Sequence, residues 1–362
     1  MSRDYLPSLQ RATQRMKSIA APLLAWFDAH GRHDLPWQHP RSPYRVWISE
    51  VMLQQTQVTT VIPYFERFVA TLPDLPTLAS APLDTVLALW SGLGYYSRAR
   101  NLHCAARLCL EEHAGELPAD LESLAALPGI GRSTAGAILA LAHGRRVPIL
   151  DGNVKRVLTR LHAVRGWPGQ ASIAKTLWEF ADRHTPEIRA ADYTQAIMDL
   201  GATVCTRHNP RCETCPLRIG CAARRLGLVA QLPERKPGRV LPTRETCLLV
   251  VRDRDGRILL ERRPPAGVWA RLWSLPEVAT PQAAAAPLRT LGLVHAPTAL
   301  APIAHGFSHY HLHIQPLLAD VHGAGGIADS ADRRWCTRAD LATLGLPAPV
   351  RRLLDSLPEK PR

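Results

Sequence analysis

The chain is 362 residues long and carries 44 Lys and Arg against 31 Asp and Glu, a formal net charge of +13. That length supports two or three domains with separate cores, and the basic excess favours a polyanionic partner such as nucleic acid. The excess is shared, +7 over residues 1–230 and +6 over 231–362, so both parts are expected to reach that partner. No apolar run approaches membrane-spanning length, and the amino terminus lacks a secretory signal pattern, which points to a soluble, cytoplasmic protein.

Residues 1–225 read as almost entirely helical. Apolar residues recur at helical spacing over 17–29, 44–70, 83–90, 96–112, 120–126, 133–143, 153–163, 171–184 and 190–204, with Pro and Gly at the joins. Residues 226–244 are rich in Pro and positive charge and read as a linker. The pattern then changes. Residues 246–251 and 257–261 flank Asp253-Arg-Asp-Gly256, a hairpin signal. Phe307 to Leu318 alternates like a strand, and 348–357 reads as a closing helix. Residues 245–362 are therefore expected to form a small α+β domain.

Within the helical part, Leu127-Pro-Gly129-Ile-Gly131-Arg-Ser133-Thr-Ala-Gly reads as helix, tight turn and second helix over about 120–140. Pro128 stops the first helix, while Gly129 and Gly131 allow positive φ and close backbone approach. The amides ahead of Ser133 would then face outward as a phosphate site. Asp151 follows about one helix length later, in Ile149-Leu-Asp-Gly-Asn153. A motif that grips a DNA backbone and holds a carboxylate nearby suits attack on a sugar–base bond.

Four of the eight cysteines crowd into Cys205-x6-Cys212-x2-Cys215-x5-Cys221. In a reducing compartment such a set reads as metal ligation, while the scattered Cys104, Cys109, Cys247 and Cys336 read as small apolar residues. The spacing suits a cubane iron–sulfur cluster or a tetrahedral zinc ion and does not separate the two. Arg207, His208 and Arg211 lie within this loop, where they suit phosphate contacts or a solvated surface.

Together with Leu35-Pro-Trp37-Gln38, Trp47-Ile-Ser-Glu50-Val-Met-Leu53-Gln54-Gln55, Gly92-Leu-Gly-Tyr95-Tyr96, Gln195-Ala-Ile-Met-Asp-Leu-Gly and Phe307-Ser308-His309, these motifs have a clear counterpart. From about residue 18 to near the carboxyl end, the chain resembles the adenine DNA glycosylase (MutY) family of the endonuclease III, or helix-hairpin-helix, superfamily. The amino-terminal dozen residues have no counterpart there. The resemblance implies a mostly α, two-lobed helix-hairpin-helix glycosylase domain with an iron–sulfur loop over 205–221, followed by a Nudix-like α+β domain. It implies a [4Fe–4S] cluster on Cys205, Cys212, Cys215 and Cys221. It further implies a monomer acting on double-stranded DNA, away from any membrane, and removing adenine mispaired with 8-oxoguanine or guanine.

Cleaving that bond requires protonation of the leaving base and stabilisation of an oxocarbenium-like sugar. Glu50 lies in an apolar helical run, which should raise its pKa and suit a general acid; the plainer alternative is a helix-edge ion pair with Arg45. Asp151 reads as a helix N-cap or, by the resemblance, as the carboxylate beside the sugar carbon. Asn153 would help orient the pair. Ser133 stands where the bifunctional relatives place a Schiff-base lysine, so base removal without efficient strand cleavage is expected. Gln55 and Tyr95 resemble the family's wedge residues, and Trp37, Gln38, Leu53 and Gln195 its adenine pocket. Ser308 resembles the reader of 8-oxoguanine, flanked by Phe307 and His309. The Nudix-like domain, with Gly267-Val-Trp269 and Leu275-Pro276, has Ala and Pro over 280–290 in place of a metal-binding acidic helix, and is expected to bind without hydrolysing.

Overall fold

The computed structural model describes residues 18–236, 238, 240–322 and 330–357; the amino-terminal dozen lie outside them. Two compact units share the described residues, one joining those of 18–69 with those of 105–238, the other joining those of 70–104 with those of 240–357.

Local chemistry accounts for the helix boundaries over residues 20–225, of which α4, α5 and the start of α6 fall in the second unit. Helix α1 spans Ala20–His30. Helix α2, Pro43–Leu53, starts where Ser42 accepts the Arg45 amide and Pro43 supplies a preset φ. The continuous apolar run over 44–70 is not one helix. It breaks at Gln54, Gln55 adopts φ +60°, and α3 resumes at Val58–Thr71. Helical periodicity carried across the break because a short polar turn leaves the apolar spacing on both sides intact. Helix α4 is Leu75–Ser80, a short element the periodicity did not mark, and α5 is Leu83–Leu89. Helix α6 is Ser97–Glu112, and α7 is Leu121–Ala126, capped by Asp120.

Helix α8, Arg132–His143, closes on Gly144 in the left-handed region; α9 is Gly152–Leu161 and α10 Ala171–His184. Helix α11, Ala190–Asp199, widens into a π turn over Leu200–Val204, and α12 is Ala222–Arg225. Helix α8 packs against α2 and α11 and is buried along Ala135–Leu141. The stretch read as a linker is partly docked: Leu232 is buried and its carbonyl accepts from Arg160.

The second unit carries a mixed sheet. Strands β1 (Thr243–Arg252) and β2 (Ile258–Arg262) form the expected hairpin around Asp253–Gly256. Strands β3 (Trp273–Ser274) and β4 (Glu277–Val278) follow, then helix α13 (Ala285–Thr290), β5 (Thr298–Ala299), β6 (Ile303–Gly306) and β7 (His311–Asp320). Strand β8 (Arg333–Cys336) and helices α14 (Arg338–Ala342) and α15 (Ala348–Ser356) complete it. The main path runs β3-β2-β1-β7-β5, with β1 and β7 parallel and the other pairs antiparallel. Alternate residues of β1 feed two cores: Leu248 and Val250 face α14 and α15, and Cys247, Leu249 and Val251 face α13.

The strand expected over 307–318 starts only at His311. Residues 307–310 are instead the tight turn joining β6 to β7, closed by Phe307 N–H donating to the Tyr310 carbonyl. Tyr310 is buried in phase with Leu312 and Ile314 of β7, so the apolar spacing of the strand runs on into the turn. His311 and His313 face solvent on β7, as the alternation predicts.

Candidate active site

Glu50 lies near the end of α2, on a helix whose Val46, Trp47, Val51 and Met52 are buried. Burial pushes its carboxyl up to about 8, and the charge of Asp151 adds to the shift. The Glu50 carboxyl therefore lies within reach of the Asp151 charge. Arg45 is not Glu50's partner: its guanidinium bonds the Pro36 carbonyl and lies over the Phe65 ring.

Asp151 is the N-cap of α9, its Oδ1 accepting the Val154 amide at 2.7 Å while Asn153 Nδ2 reaches Oδ2 at 3.3 Å. Burial raises its pKa, and the amides of Val154 and Asn153, the Arg156 charge and the Asn153 side chain pull against it. The capping and catalytic readings thus describe the same atom set. Asp151 has charge-stabilising bonds that Glu50 lacks, so it ionises first and leaves Glu50 to hold the proton.

Around this pair, Ser133 Oγ accepts the Leu150 amide at 2.9 Å, which fixes the strand of chain entering Asp151. Gln54 Nε2 is 3.5 Å from Thr134 Oγ1, joining the end of α2 to the start of α8. Gly129 takes φ +79° as expected. Gly131 does not: it is the extended N-cap of α8 with φ −88°, and a Cβ there would meet nothing within 4 Å. Its freedom is spatial, a bare approach to an uncapped helix end.

Trp37, Gln38 and Gln195 are buried. Trp37 meets Phe65 edge-on at 5.4 Å. Gln38 accepts the Leu35 amide and donates to the Arg32 carbonyl, and Gln195 donates to Asp199, which also holds Arg32 in an ion pair. Gln38 and Gln195 are thus joined through Arg32 and Asp199. Leu53 ends α2 half-buried. Gln55 is exposed in the left-handed turn that follows.

The four cysteine thiols line one cavity with Val157, Arg160, Leu161, Leu200, Val204 and Leu217 among its walls. Among the described residues no three His, Cys, Asp or Glu are drawn tightly enough to hold a single ion. Burial pushes the Cys215 thiol up to about 11 and raises Cys221, and in each the neighbouring cysteine charges add to this. A soft, four-thiol donor set in an apolar cavity fits a metal group whose positive charge would relieve that cost. Arg160, only 3% exposed, reaches Cys205 Sγ at 3.4 Å and the Thr206 carbonyl at 2.7 Å, so a buried cation lines the thiol cavity.

The helix-hairpin-helix base excision DNA repair model matches residues 48–183, and a Nudix domain model matches 247–356. The chain is 34% identical to the adenine DNA glycosylase of Buchnera aphidicola from Acyrthosiphon pisum over 92% of this chain and 96% of that one. It is 33% identical to the human adenine DNA glycosylase over 95% of this chain and 75% of that one. This chain belongs to the adenine DNA glycosylase family. A solved thermostable thymine-DNA glycosylase superposes with a TM-score of 0.51 at 25% identity, over 62% of this chain and all of that one. An endonuclease III–DNA complex gives 0.50 at 22% identity over 61% and 98%, a likeness of fold.

Placed within this family of DNA glycosylases, the site contains residues that sequence reasoning missed. Arg156 donates to the Asn153 side chain at 2.7 Å and to the carbonyls of Gly201 and Cys205 at 2.6 and 2.7 Å. Gly201 is needed because a Cβ there would lie 2.6 Å from that of Asn153. The signal for Arg156 and Arg160 was their i, i+4 spacing, which puts two guanidinium groups on the side of α9 facing the thiol loop. In the second unit, Tyr95 is 49% exposed with φ +48°, Tyr96 is buried, and Ser308 and His309 are exposed on the β6–β7 turn. Phe307 packs on Trp269, His305 and Tyr310. Among the described residues no helix is long and apolar enough to cross a membrane.

Proposed function

We propose that this protein is a monofunctional adenine DNA glycosylase of base excision repair, acting as a monomer on adenine mispaired with 8-oxoguanine or guanine in duplex DNA. The observation that carries the reading is the unequal carboxyl pair: Glu50 held protonated near neutral pH by burial and by the Asp151 charge. Glu50 donates its proton to N7 of the extruded adenine, so that the base leaves neutral. The Asp151 carboxylate, steadied by Val154 and Asn153, offsets the positive charge that develops on the sugar. Glu50, now ionised, takes a proton from the water that adds at C1′. Ser133 has no amine to form an imine, so the product is an abasic site in an unbroken strand.

Extrusion costs a few kcal/mol of stacking and leaves a gap. Gln55 and Tyr95, both exposed in left-handed turns that few residue types adopt, fill it. Trp37, Gln38, Leu53 and Gln195 wall the adenine pocket. The bare start of α8, after Gly129 and Gly131, binds a phosphate. Ser308 accepts the N7–H that 8-oxoguanine has and guanine lacks, with Phe307 and His309 setting the turn. Cys205, Cys212, Cys215 and Cys221 hold a [4Fe–4S] cluster, which when bound ties the 205–221 loop into a rigid, positively charged DNA contact. The Nudix-like domain reads the opposite base and hydrolyses no nucleotide.

The test is adenine release from A·8-oxoguanine and A·G duplexes with and without alkali. Release of free adenine, with strand breaks only after alkali, is expected. Nicking of a thymine glycol duplex without alkali would instead assign the chain to the bifunctional enzymes.

A further inference from the structure

The second unit holds residues 70–104 together with the carboxyl-terminal domain, and its contacts converge on the turn that presents Tyr95. Left-handed backbone at a tyrosine is unfavourable and persists only where the surroundings hold it. Several bonds do so. Trp90 Nε1 donates to the Gly94 carbonyl at 3.2 Å, and Arg98 donates to the carbonyls of Leu93 and Gly94, each at 3.2 Å. The buried Arg98 guanidinium lies over the rings of both Trp90 and Tyr95.

The next residue carries the turn onto the other domain. Tyr96 Oη accepts the Gly92 amide at 3.3 Å and donates to the Leu346 carbonyl at 2.8 Å. Leu346 is fully buried between α14 and α15, and Gly345 lies so close to α5 that a Cβ would stand 2.8 Å from that of Leu87. One turn along α6, Arg100 donates to the Ala270 carbonyl at 2.9 Å. Ala270 sits between Trp269 and Arg271, both left-handed, and the Trp269 ring packs on Phe307 at 5.3 Å. Below these, Arg262 forms a two-bond ion pair with Asp84 while stacking on Trp273.

We propose that the carboxyl-terminal domain also buttresses the wedge: Tyr96 and Arg100 are positioning residues that lock the Gly92–Tyr95 turn to Leu346 and Ala270. The domain that reads the opposite base thereby sets where the aromatic ring enters the stack. This rests on the wedge reading of Tyr95. It assigns Tyr96 a task beyond filling a core, because its hydroxyl uses its acceptor on the turn and its donor on the neighbouring domain.

The test places 2-aminopurine beside 8-oxoguanine in an A·8-oxoguanine duplex, so that its fluorescence reports unstacking when protein binds, and also follows single-turnover adenine release. Tyr96→Phe removes one hydroxyl and Arg100→Met one guanidinium. Each is expected to cut the unstacking signal and the release rate by about fivefold, the weight of one lost hydrogen bond. Release from a duplex whose adenine is already extrahelical, opposite an abasic site, should be unchanged in both. A merely structural loss would slow the two substrates equally and lower the melting temperature in step; that result overturns the proposal. Tyr95→Ala separates the two layers. If it leaves the signal intact, the wedge reading itself fails. If it abolishes the signal while Tyr96→Phe and Arg100→Met leave it untouched, the wedge reading stands and the buttress is refuted.

Discussion

The Asp151 turn and the Ser308 turn hold their functional groups by opposite means. Asp151 is clasped by two backbone amides and the Asn153 side chain, in surroundings dry enough to raise its own pKa and that of Glu50. Ser308 is exposed, its Oγ is 3.5 Å from His309 Nδ1, and the turn beneath it is held by aromatic packing of Phe307 on Trp269, His305 and Tyr310. The difference suits the tasks proposed for the two turns. Proton transfer and charge stabilisation gain strength from exclusion of water, whereas reading one atom of a base requires a group that meets its partner only when DNA arrives. Damage to the first should therefore abolish chemistry, and damage to the second should blur a choice.

The largest effect is expected from Glu50→Gln, which keeps shape and removes the acid. Single-turnover adenine release should fall roughly 10²–10⁴-fold with duplex binding retained. The same variant should be more stable than wild type at pH 8. Because folding raises the Glu50 pKa, the ionised folded state is penalised, and stability is lost as pH climbs from the unfolded value toward about 8. Thermal melting at pH 6 and pH 9 reads this; an equal wild-type and variant difference at both would remove the desolvation argument.

Asp151→Asn comes next, with a loss of roughly 10²–10³-fold in release rate. Asn can still cap α9, so the melting temperature should move little. A rate loss accompanied by a large drop in melting temperature would show the cap to be its main role.

Ser308→Ala should act on selectivity alone. One hydrogen bond is worth about fivefold, so the preference for A·8-oxoguanine over A·G should shrink by that factor while the A·G rate holds. An unchanged ratio would dismiss the turn as the reader.

The smallest effect concerns stability of the helical unit in acid. His162 and His184 approach Nε2 to Nε2 at 2.9 Å, and His162 stacks on Phe180. Burial, then His184 and Arg183, lower His162 to about 3; burial, then Arg183, lower His184 to about 4. The unfolded chain takes up these protons from about pH 6.5 downward and the folded one does not, so stability should fall as pH drops from 6.5 toward 4. His184→Gln should flatten that slope in melting curves between pH 7 and 5.

Much of the candidate site was legible because the proposed chemistry rests on residue types that stand out in a sequence. Glu50 amid Val and Met, Asp151 before a helix, and four cysteines within 17 positions each carry a local signal. Elements that depend on distant partners carried none. The i, i+4 spacing of Arg156 and Arg160 marks a charged face of α9 but not the Gly201 and Cys205 carbonyls that Arg156 binds, and nothing near Tyr96 announces Leu346. The break at Gln55 was hidden because the apolar spacing of α2 and α3 happens to continue in phase. The turn over 307–310 passed for strand because Tyr310 continues the apolar spacing of Leu312 and Ile314 on β7. Gly131 invited a positive φ that the structure does not use, since an extended N-cap serves the helix start as well.

The most direct measurement is the pH dependence of single-turnover adenine release from an A·8-oxoguanine duplex between pH 5 and 10, with duplex binding measured at each pH. A proton held by Glu50 predicts a rate that is flat near neutrality and declines about tenfold per pH unit once pH passes about 8. A rate that stays level to pH 10, with binding also level, would mean that Glu50 does not deliver the proton and would contradict the account.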